Sequence, residues 1–394
     1  MAEDPIVIAG MARTPMGGFQ GDFSAASAPE LGAAAIRAAT SRAGLKPEDI
    51  DEVLMGCVLS AGLGQAPARQ ATIGAGLPKS TPATTVSKVC GSGMKAMMIA
   101  HDALKAGSGN IFIAGGMESM TNAPYLLPKA RGGMRLGHGV IQDHMFLDGL
   151  EDAYESGRLM GTYAEDTAEK YQFTREDQDG FALESLARAT KAIEDGSFKD
   201  EITPVTVKTR KGDVEVTIDE QPGKARPEKI PELRPAFRKG GTVTAANSSS
   251  ISDGAAALVM MRASEAKARG LKPIAAIRAH SSHAQEPAWF TTAPIAAIEK
   301  VLKSAGWSKD EVDLFEINEA FAVVTLAAIR DLDLDPKKVN VHGGACALGH
   351  PIGASGARIS VTLLAALKKY GLKKGISSLC IGGGEATAIA FEML

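Results

Sequence analysis

The strongest constraint on the fold is an internal repeat, because the second half of the sequence matches the first at a nearly constant spacing. The matching segments, in order along the chain, are residues 43–53 with 305–315, residues 92–93 with 355–356, and residues 115–116 with 382–383. The spacings are 262, 263 and 267 residues. Chance similarity between small residues could produce one such match, but hardly three in the same order. We therefore predict a duplicated structural unit with an insertion.

Each copy has the pattern of an α/β unit. In the first copy, short apolar runs at residues 5–10, 50–59 and 111–119 have the length and composition of buried strands. A helical pattern covers residues 29–44, with a proline in its first turn and a glycine at its end. This alternation predicts a layered α/β fold, in which two similar halves can pack face to face and form a site at their junction.

The region between the two copies differs in character, because prolines, glycines and charges accumulate from about residue 121. One helix is predicted from Thr174, with Asp177 three positions later as in a capping pair, and a β-hairpin is predicted around Lys211. An apolar strand then returns in the segment SDGAAALVMM. We predict three units: residues 1–120 plus 245–272 as the first half, 121–244 as an inserted loop domain, and 273–394 as the second half.

Composition excludes several classes of protein. The formal net charge of −3 gives no reason to expect a nucleic-acid partner, and no apolar run approaches the length of a membrane span. The first ten residues, MAEDPIVIAG, lack the basic and apolar segments of a secretory signal, so we expect a cytoplasmic protein. The four cysteines are too sparse for a disulfide framework. Cys346 and His350 lack the second ligand pair of a zinc site, so we expect no metal.

Cys90 is the first candidate for chemistry. It lies between a short β-branched run and a helical pattern that ends at Gly107, and small residues follow it in the segment CGSG. A cysteine at a strand-to-helix turn faces free backbone N–H groups and the positive end of the helix dipole, which lower a thiol's pKa. We therefore expect a nucleophilic thiolate, although a buried, inert cysteine is the more common fate of this residue type.

Three later turns supply possible partners for Cys90, since function usually lies at the ends of elements. His350 could deprotonate the thiol, which would then attack a carbonyl group and store an acyl group. Cys380 is suited to proton transfer, and the N–H groups of Cys90 and Gly382 could form an oxyanion hole. Asn318 could orient a water or hold the oxyanion. Chemistry alone therefore indicates acyl transfer through a cysteine.

Each of these residues also has a structural interpretation. A histidine next to a proline, as in His350-Pro351, is more often structural than catalytic. Asn318 could cap the apolar stretch that follows it. The segment GHPIGASG could be mistaken for a phosphate loop, but it lacks the lysine of that motif. Only the joint occurrence of these residues favours catalysis.

These motifs resemble those of the thiolase family, of the acetyl-CoA acetyltransferase type, over essentially the whole length of the chain. The matching segments are RTP, VCGSG, GGMESM, LRPAF, SDGAAA, NEAFA, GGACALGHPIGASGAR and CIGGG, of which the last three are the most specific. The resemblance implies a five-layered αβαβα fold made of two similar halves with an inserted loop domain. This agrees with the repeat.

The resemblance also implies a role for each candidate. Cys90 would be the nucleophile that becomes acetylated, and His350 would activate it and help to bind the thioester oxygen. Cys380 would remove a proton from the second acetyl-CoA, and Asn318 would hold a water in one oxyanion hole. The N–H groups of Cys90 and Gly382 would form the other. The implied reaction is ping-pong: two acetyl-CoA give acetoacetyl-CoA and CoA, without a metal or separate cofactor.

Five further residues are implied to contact coenzyme A or to shape its acyl pocket. Ser249 matches a serine that contacts pantetheine, and Lys224 and Arg226 lie near the position of an arginine that faces the CoA phosphates. Trp289 and Phe290 stand where smaller residues are common, so we expect a shortened acyl pocket that prefers acetyl and other short groups. The family resemblance further suggests a homotetramer built as a dimer of dimers.

Three alternatives stay open at this point. The first is a degradative 3-ketoacyl-CoA thiolase with a broader chain-length range, which has the same chemistry. A decarboxylating ketosynthase is less favoured because Cys380 in CIGGG replaces its usual histidine or asparagine. A non-catalytic CoA-binding scaffold with the same fold is the alternative from a different class.

Overall fold

The computed structural model describes residues 4–210 and 212–394, and the strands in this part of the chain form one large sheet and two small two-stranded sheets. The strands are β1 (Ile6–Arg13), β2 (Gly17–Gly18), β3 (Glu52–Gly56), β4 (Ala83–Val86), β5 (Ile111–Ser119), β6 (Tyr125–Leu126), β7 (Gln142–Asp143), β8 (Val205–Thr209), β9 (Gly212–Val216), β10 (Ser252–Arg262), β11 (Ala275–Ala284), β12 (Leu314–Ile317), β13 (Lys374–Ile381) and β14 (Glu385–Met393).

The helices lie between these strands, as the alternating sequence pattern predicts. They are α1 (Ala28–Arg42), α2 (Pro67–Gly74), α3 (Ser92–Lys105), α4 (Met160–Tyr171), α5 (Arg175–Glu194), α6 (Glu220–Lys224), α7 (Ala263–Ala268), α8 (Ala293–Ala305), α9 (Ala322–Asp331), α10 (Ala345–Leu348) and α11 (Ile352–Tyr370). Among the described residues, no helix is long and apolar enough to cross a membrane.

The large sheet divides into two parts that correspond to the two sequence repeats. Its strand order is β12-β13-β14-β11-β1-β10-β5-β3-β4, with β2 beside β10. The junction between β1 and β11 consists of two residue pairs, Val7 with Ala276 and Ile8 with Ala275. On either side of this junction, parallel pairing at the outer edge gives way to antiparallel pairing towards the centre. The predicted fold of two similar halves is therefore confirmed.

Three hydrophobic clusters fill the spaces between the layers. Alternate residues of β1 point to opposite faces, so Val7 packs with α1 and α2 while Ile8 packs with α3 and α11. The cluster around α3 and α11 also includes Ile389 of β14, so these helices lie between the two parts of the sheet. Helix α8 covers the outer face of the second part. The layers therefore follow the order αβαβα.

Glycines let the middle helices approach the first part of the sheet closely. A Cβ atom on Gly116 of β5 would lie 2.0 Å from the carbonyl oxygen of Gly353 in α11. A Cβ atom on Gly356 would lie 2.5 Å from the backbone nitrogen of Met94 in α3. Backbone therefore contacts backbone where the two halves meet, which explains the small residues in GGMES and GASGAR.

The chain between β5 and β10 forms the insertion. The predicted helix is α5, and the Thr174 hydroxyl accepts a hydrogen bond of 3.1 Å from the backbone N–H of Asp177, as the capping pattern predicts. The predicted hairpin is β8 with β9, but Lys211 itself lies outside the described residues. We propose that residues 121–244 are a unit of their own, while the exact boundaries remain predictions.

A buried ion-pair group ties this insertion to the first half. Arg13, the arginine of the RTP segment, is fully buried at the end of β1. Its Nη1 and Nη2 atoms donate to Asp219 at 2.6 and 2.8 Å, and its Nε donates to Glu201. Both acids belong to the insertion, so breaking either contact would leave a charge buried without its partner.

Candidate active site

A cavity of about 480 Å³ lies where turns of the two halves and the insertion meet. The two halves contribute Cys90, His350 and Gly382 to its wall, and the segment before β10 contributes Ser249. Phe290 lines it from the turn before α8. The structure therefore brings residues that are far apart in the sequence to one surface, as the duplicated fold predicts.

Cys90 lies in the turn between β4 and α3. The residue before it, Val89, has a φ of 44°, a left-handed conformation that is strained for a β-branched side chain. The Ser92 hydroxyl holds this turn, because it accepts from the N–H of Lys88 at 2.8 Å and donates to the carbonyl of Val89 at 2.7 Å. The turn therefore has a defined shape that aims Cys90 into the cavity.

The pKa of Cys90 is raised and not lowered, so the predicted direction of its shift is wrong and the resting thiol is neutral. Burial in the cavity raises the pKa of Cys90 to about 11, and the charge of Glu118 also raises it. The backbone N–H groups of Gly382 and of Cys90 itself lower it in part, because both stabilise a negative sulfur. The cost of desolvation therefore exceeds the help from the N–H groups, and the thiol needs a base.

His350 can act as that base. Burial, together with the positive charge of Arg358, lowers the pKa of His350 to about 3, so the imidazole is neutral. The Ser355 hydroxyl lies beside Nδ1 of His350 and donates to the carbonyl of Pro351 at 2.9 Å. Because that hydroxyl proton is used, Ser355 accepts from Nδ1–H. This assigns the tautomer and leaves Nε2 as the proton acceptor.

Asn318 lies next to His350 and is fully buried. Its Nδ2 atom is 3.5 Å from both ring nitrogens of His350, and its Oδ1 atom has no hydrogen-bond partner among the described residues. The alternative that Asn318 caps the next helix is wrong, because α9 begins at Ala322 and Phe321 occupies its N-cap. The amide is therefore available for a ligand or a water at the imidazole.

Cys380 lies at the end of β13, two residues before Gly382, and its side chain is fully buried. It packs in the same hydrophobic cluster as Phe290 and Phe321, both of which line the cavity. Burial raises the pKa of Cys380 well above its ordinary value, and the charge of a Cys90 thiolate raises it further. The two thiols are therefore close enough to interact, with Cys380 behind the cavity wall.

A second pocket of about 340 Å³ adjoins this cavity, since Ala245 and Ser250 line both. Lys224 and Arg226, which were predicted from the sequence, line the second pocket together with Lys229, which was not. Lys224 also forms an ion pair with Glu220. Three cations therefore line the pocket beside the cavity. Trp289, by contrast, is not among the lining residues, and the ammonium of Lys170 lies 4.1 Å from its ring.

Glu118 is a residue to which the sequence reasoning assigned no role. It is fully buried at the end of β5, where its carboxylate accepts from the N–H groups of Val58 and Leu59, each at 3.0 Å, and of Gly353 at 2.8 Å. Burial raises the pKa of Glu118 to about 7 against the effect of these donors. It therefore links the first half to the N-terminal turn of α11, which follows His350. The sequence signal that could have identified Glu118 is a carboxylate within an apolar strand.

Known proteins are similar to this chain over nearly its whole length. Residues 6–264 match the family model described as the thiolase N-terminal domain, and residues 271–393 match that of the thiolase C-terminal domain. An acetyl-CoA acetyltransferase of Pseudomonas aeruginosa is 50% identical over 386 residues, which cover 98% of each chain. Acetyl-CoA acetyltransferase 2 of Arabidopsis thaliana is 51% identical over 392 residues, which cover 99% of this chain and 97% of the relative.

Solved structures give the same result. The acetyl-CoA acetyltransferase of Bacillus anthracis has a TM-score of 0.97 at 42% identity, and 99% of each chain is covered. The Acat5 thiolase of Ascaris suum, solved in complex with coenzyme A, has a TM-score of 0.94 at 44% identity, and covers 99% of this chain and 100% of its own. The similarity thus extends over both halves and the insertion.

Proposed function

The chain belongs to the thiolase family, and we propose that it is an acetyl-CoA acetyltransferase, which converts two acetyl-CoA to acetoacetyl-CoA and CoA and also catalyses the reverse reaction. One observation carries this proposal: a thiol, a neutral buried imidazole and a backbone N–H face one cavity that opens into a cationic pocket. CoA thioesters are the substrates in this proposal, and the reaction needs no metal or separate cofactor.

The first half-reaction uses Cys90 and His350. Nε2 of His350 takes the proton of Cys90 while the sulfur attacks the acetyl carbonyl carbon. The N–H groups of Cys90 and Gly382 would stabilise the negative oxygen that forms, which is supported by their interaction with the Cys90 sulfur. CoA then leaves as a thiolate, takes up a proton, and leaves an acetyl group on Cys90.

In the second half-reaction, we assign the role of the base to Cys380. We propose that Cys380 gives its proton to the departing CoA sulfur and then, as a thiolate, removes a proton from the methyl group of the second acetyl-CoA. A thiolate with a raised pKa is a strong base, which suits a weakly acidic C–H bond. The resulting carbanion attacks the carbonyl carbon of the acetyl group on Cys90, the carbon–sulfur bond to Cys90 breaks, and the released Cys90 thiolate takes back the proton that His350 had accepted. His350 and a water on Asn318 would bind the second thioester oxygen.

The cavity and the adjoining pocket together offer a binding site for the rest of coenzyme A. We propose that pantetheine passes Ser249 and that the phosphates face Lys224, Arg226 and Lys229. Cations on a solvent-facing pocket suit the phosphates, while the lining near Cys90 is largely apolar. At the inner end, Phe290 packs edge-on against Tyr163 at 6.2 Å between ring centres, which supports the predicted preference for short acyl groups.

An exposed apolar hairpin supports the predicted homotetramer. The loop that includes β6 and β7 exposes several large apolar side chains, among them Tyr125 at 66%, Leu136 at 98%, Val140 at 71% and Ile141 at 64%. Such a patch is typical of a surface that contacts a second chain. We propose that two dimers associate through these hairpins. Light scattering of a variant that carries Leu136→Asp and Val140→Asp should then report dimers.

The cytoplasmic location of the protein also remains a prediction.

Intact-mass measurement tests the proposed function directly. After mixing with acetyl-CoA, the protein should gain one acetyl group, and Cys90→Ala should gain none. A protein that gains no acetyl group but still binds CoA would be a scaffold. Thiolysis of acetoacetyl-CoA and of longer 3-ketoacyl-CoA substrates then separates the short-chain enzyme from a broad-range degradative thiolase. Equal kcat/KM for the octanoyl-length substrate would reject the short-chain assignment.

A further inference from the structure

A cluster of two histidines and one carboxylate lies outside the cavity, where α3 meets the second part of the sheet. His101 and Asp102 lie in the last turns of α3, and His280 lies in β11. Nδ1 of His101 is 2.9 Å and Nε2 of His280 is 2.8 Å from the same Oδ1 atom of Asp102. The two rings meet edge to face, with 4.9 Å between their centres.

The three donor atoms are already close enough to share a small cation. All of them lie within 4.8 Å of one another. Two ligands at about 2.0–2.2 Å from a tetrahedral zinc ion lie about 3.3–3.6 Å apart, so binding requires side-chain rotations that bring the two imidazole nitrogens closer together. The partners come from a helix of the first half and a strand of the second half, whose backbones fix their positions. A rigid arrangement of this kind reduces the ordering cost of binding.

The exposure of the cluster suits a metal as well. Asp102 is exposed, with 62% of its side chain accessible, so waters can complete the coordination. Lys105, three residues further along α3, donates to the backbone carbonyl of Asp4 at 2.9 Å.

We propose that His101, Asp102 and His280 form a binding site for a divalent transition-metal ion, with Zn²⁺ the best match to two imidazole nitrogens and one carboxylate oxygen. The metal would replace the two hydrogen bonds to Asp102 and join α3 to β11. His101 is nine residues after Ser92, so the site lies about 14 Å along the helix from the nucleophile turn. The ion is therefore a link between the two halves and takes no part in acyl transfer.

Metal binding by the full-length protein tests this proposal. Titration with Co²⁺ and Zn²⁺, followed by calorimetry and by the visible Co²⁺ spectrum, should give one site per chain with nitrogen and oxygen ligands. His101→Gln and His280→Gln should each weaken binding about tenfold or more, since even loss of an outer partner costs 10–100-fold. His283→Gln is the matched control, because His283 lies on β11 but pairs with Gln285 and Lys300.

The thiols must be separated from this site, because cysteines also bind Zn²⁺ and Co²⁺. Cys90→Ser should keep the site, and thiolate–cobalt absorption should be absent from the wild-type spectrum. Each variant should also keep its melting temperature in EDTA, which shows that it folds. Equal binding by His280→Gln and wild type would overturn the proposal, as would the absence of binding at millimolar metal. Either result would leave a hydrogen-bonded trio and would not affect the acetyl-transfer assignment.

Discussion

Replacement of Gly116 by alanine tests the idea that direct backbone contact between the two halves holds the active site together. The added Cβ atom would lie 2.0 Å from the carbonyl oxygen of Gly353 and 2.9 Å from Cα of Ala354. Ordinary contacts begin near 3.4 Å, so β5 and α11 must separate by roughly 1.4 Å at this point. Both obstacles are backbone atoms, which cannot rotate away as a side chain can.

The expected cost follows from this geometry. Overpacking a core typically costs about 1–3 kcal/mol and occasionally more, and a rigid helix backbone belongs at the upper end. A loss of about 3 kcal/mol lowers Tm by roughly 6–12 °C, at about 2–4 °C per kcal/mol for domains of 150–250 residues. Activity should fall further, because Gly353 begins the helix that follows His350 and a shift of about 1 Å can cost 10²-fold in rate.

The same substitution at Gly180 is the matched control. This exposed glycine lies within α5, and a Cβ atom there would meet nothing within 4 Å. Gly180→Ala should therefore stabilise the protein by about 0.5–1 kcal/mol, because alanine loses less backbone freedom in a helix. Differential scanning fluorimetry and acetoacetyl-CoA thiolysis measure both variants. If Gly116→Ala melted within 2 °C of wild type and kept its kcat, the contact between β5 and α11 would not be the constraint we infer.

Four other changes have defined outcomes. Gly382→Ala has room, since the nearest atom to the added Cβ is the flexible Met160 sulfur at 3.3 Å, so Tm should hold. The methyl group beside Cys90 should lower kcat/KM by about 10²-fold, and an unchanged kcat/KM would contradict a close approach of the substrate to residue 382. Phe290→Leu should raise kcat/KM for longer 3-ketoacyl-CoA relative to acetoacetyl-CoA by about tenfold, and an unchanged ratio in the thiolysis panel would contradict its role in chain-length selection. Because Cys90 has a pKa of about 11, inactivation of the free enzyme by iodoacetamide should accelerate about tenfold per pH unit from pH 7 to 10, whereas a plateau near pH 7 would indicate a resting thiolate. The pKa of Glu118 rises on folding from 4.5 to about 7, so between these pH values the folded state holds a proton that the unfolded state has lost, and stability falls as pH rises. Glu118→Gln should reduce this loss of stability by up to about 3 kcal/mol. Equal slopes of Tm against pH for the variant and the wild type would refute this prediction.

Local sequence patterns predicted most of the fold, because its elements carry their own signals. The capping pair at Thr174, the apolar strands and the repeated glycines all led to the observed elements. The repeat also predicted that Cys90 belongs to the first half and Gly382 to the second, structurally equivalent half. These signals are short-range or periodic, so they can be read along the chain without knowledge of tertiary contacts.

The rest depended on tertiary contacts that no local pattern contains. The pKa of Cys90 is set by how deeply the cavity encloses the sulfur, and this outweighs the helix-terminus effect that the sequence indicated. His280 lies 178 residues from Asp102, so no local pattern in either segment predicts their contact. Glu118 likewise meets its backbone partners only when the two halves pack together.

The resting pair of Cys90 and His350 explains why a buried site can be both unreactive and fast. Burial raises the pKa of the thiol to about 11 and lowers that of the imidazole to about 3, so the free enzyme keeps both groups neutral. A thiolate and an imidazolium become favourable only together, and only when a thioester carbonyl is present to take the electrons from sulfur. In the proposed mechanism, the negative charge then moves to an oxygen that the N–H groups of Cys90 and Gly382 stabilise. On this proposal, desolvation suppresses side reactions of the thiol, while the fixed N–H groups lower the barrier for the acyl substrate alone.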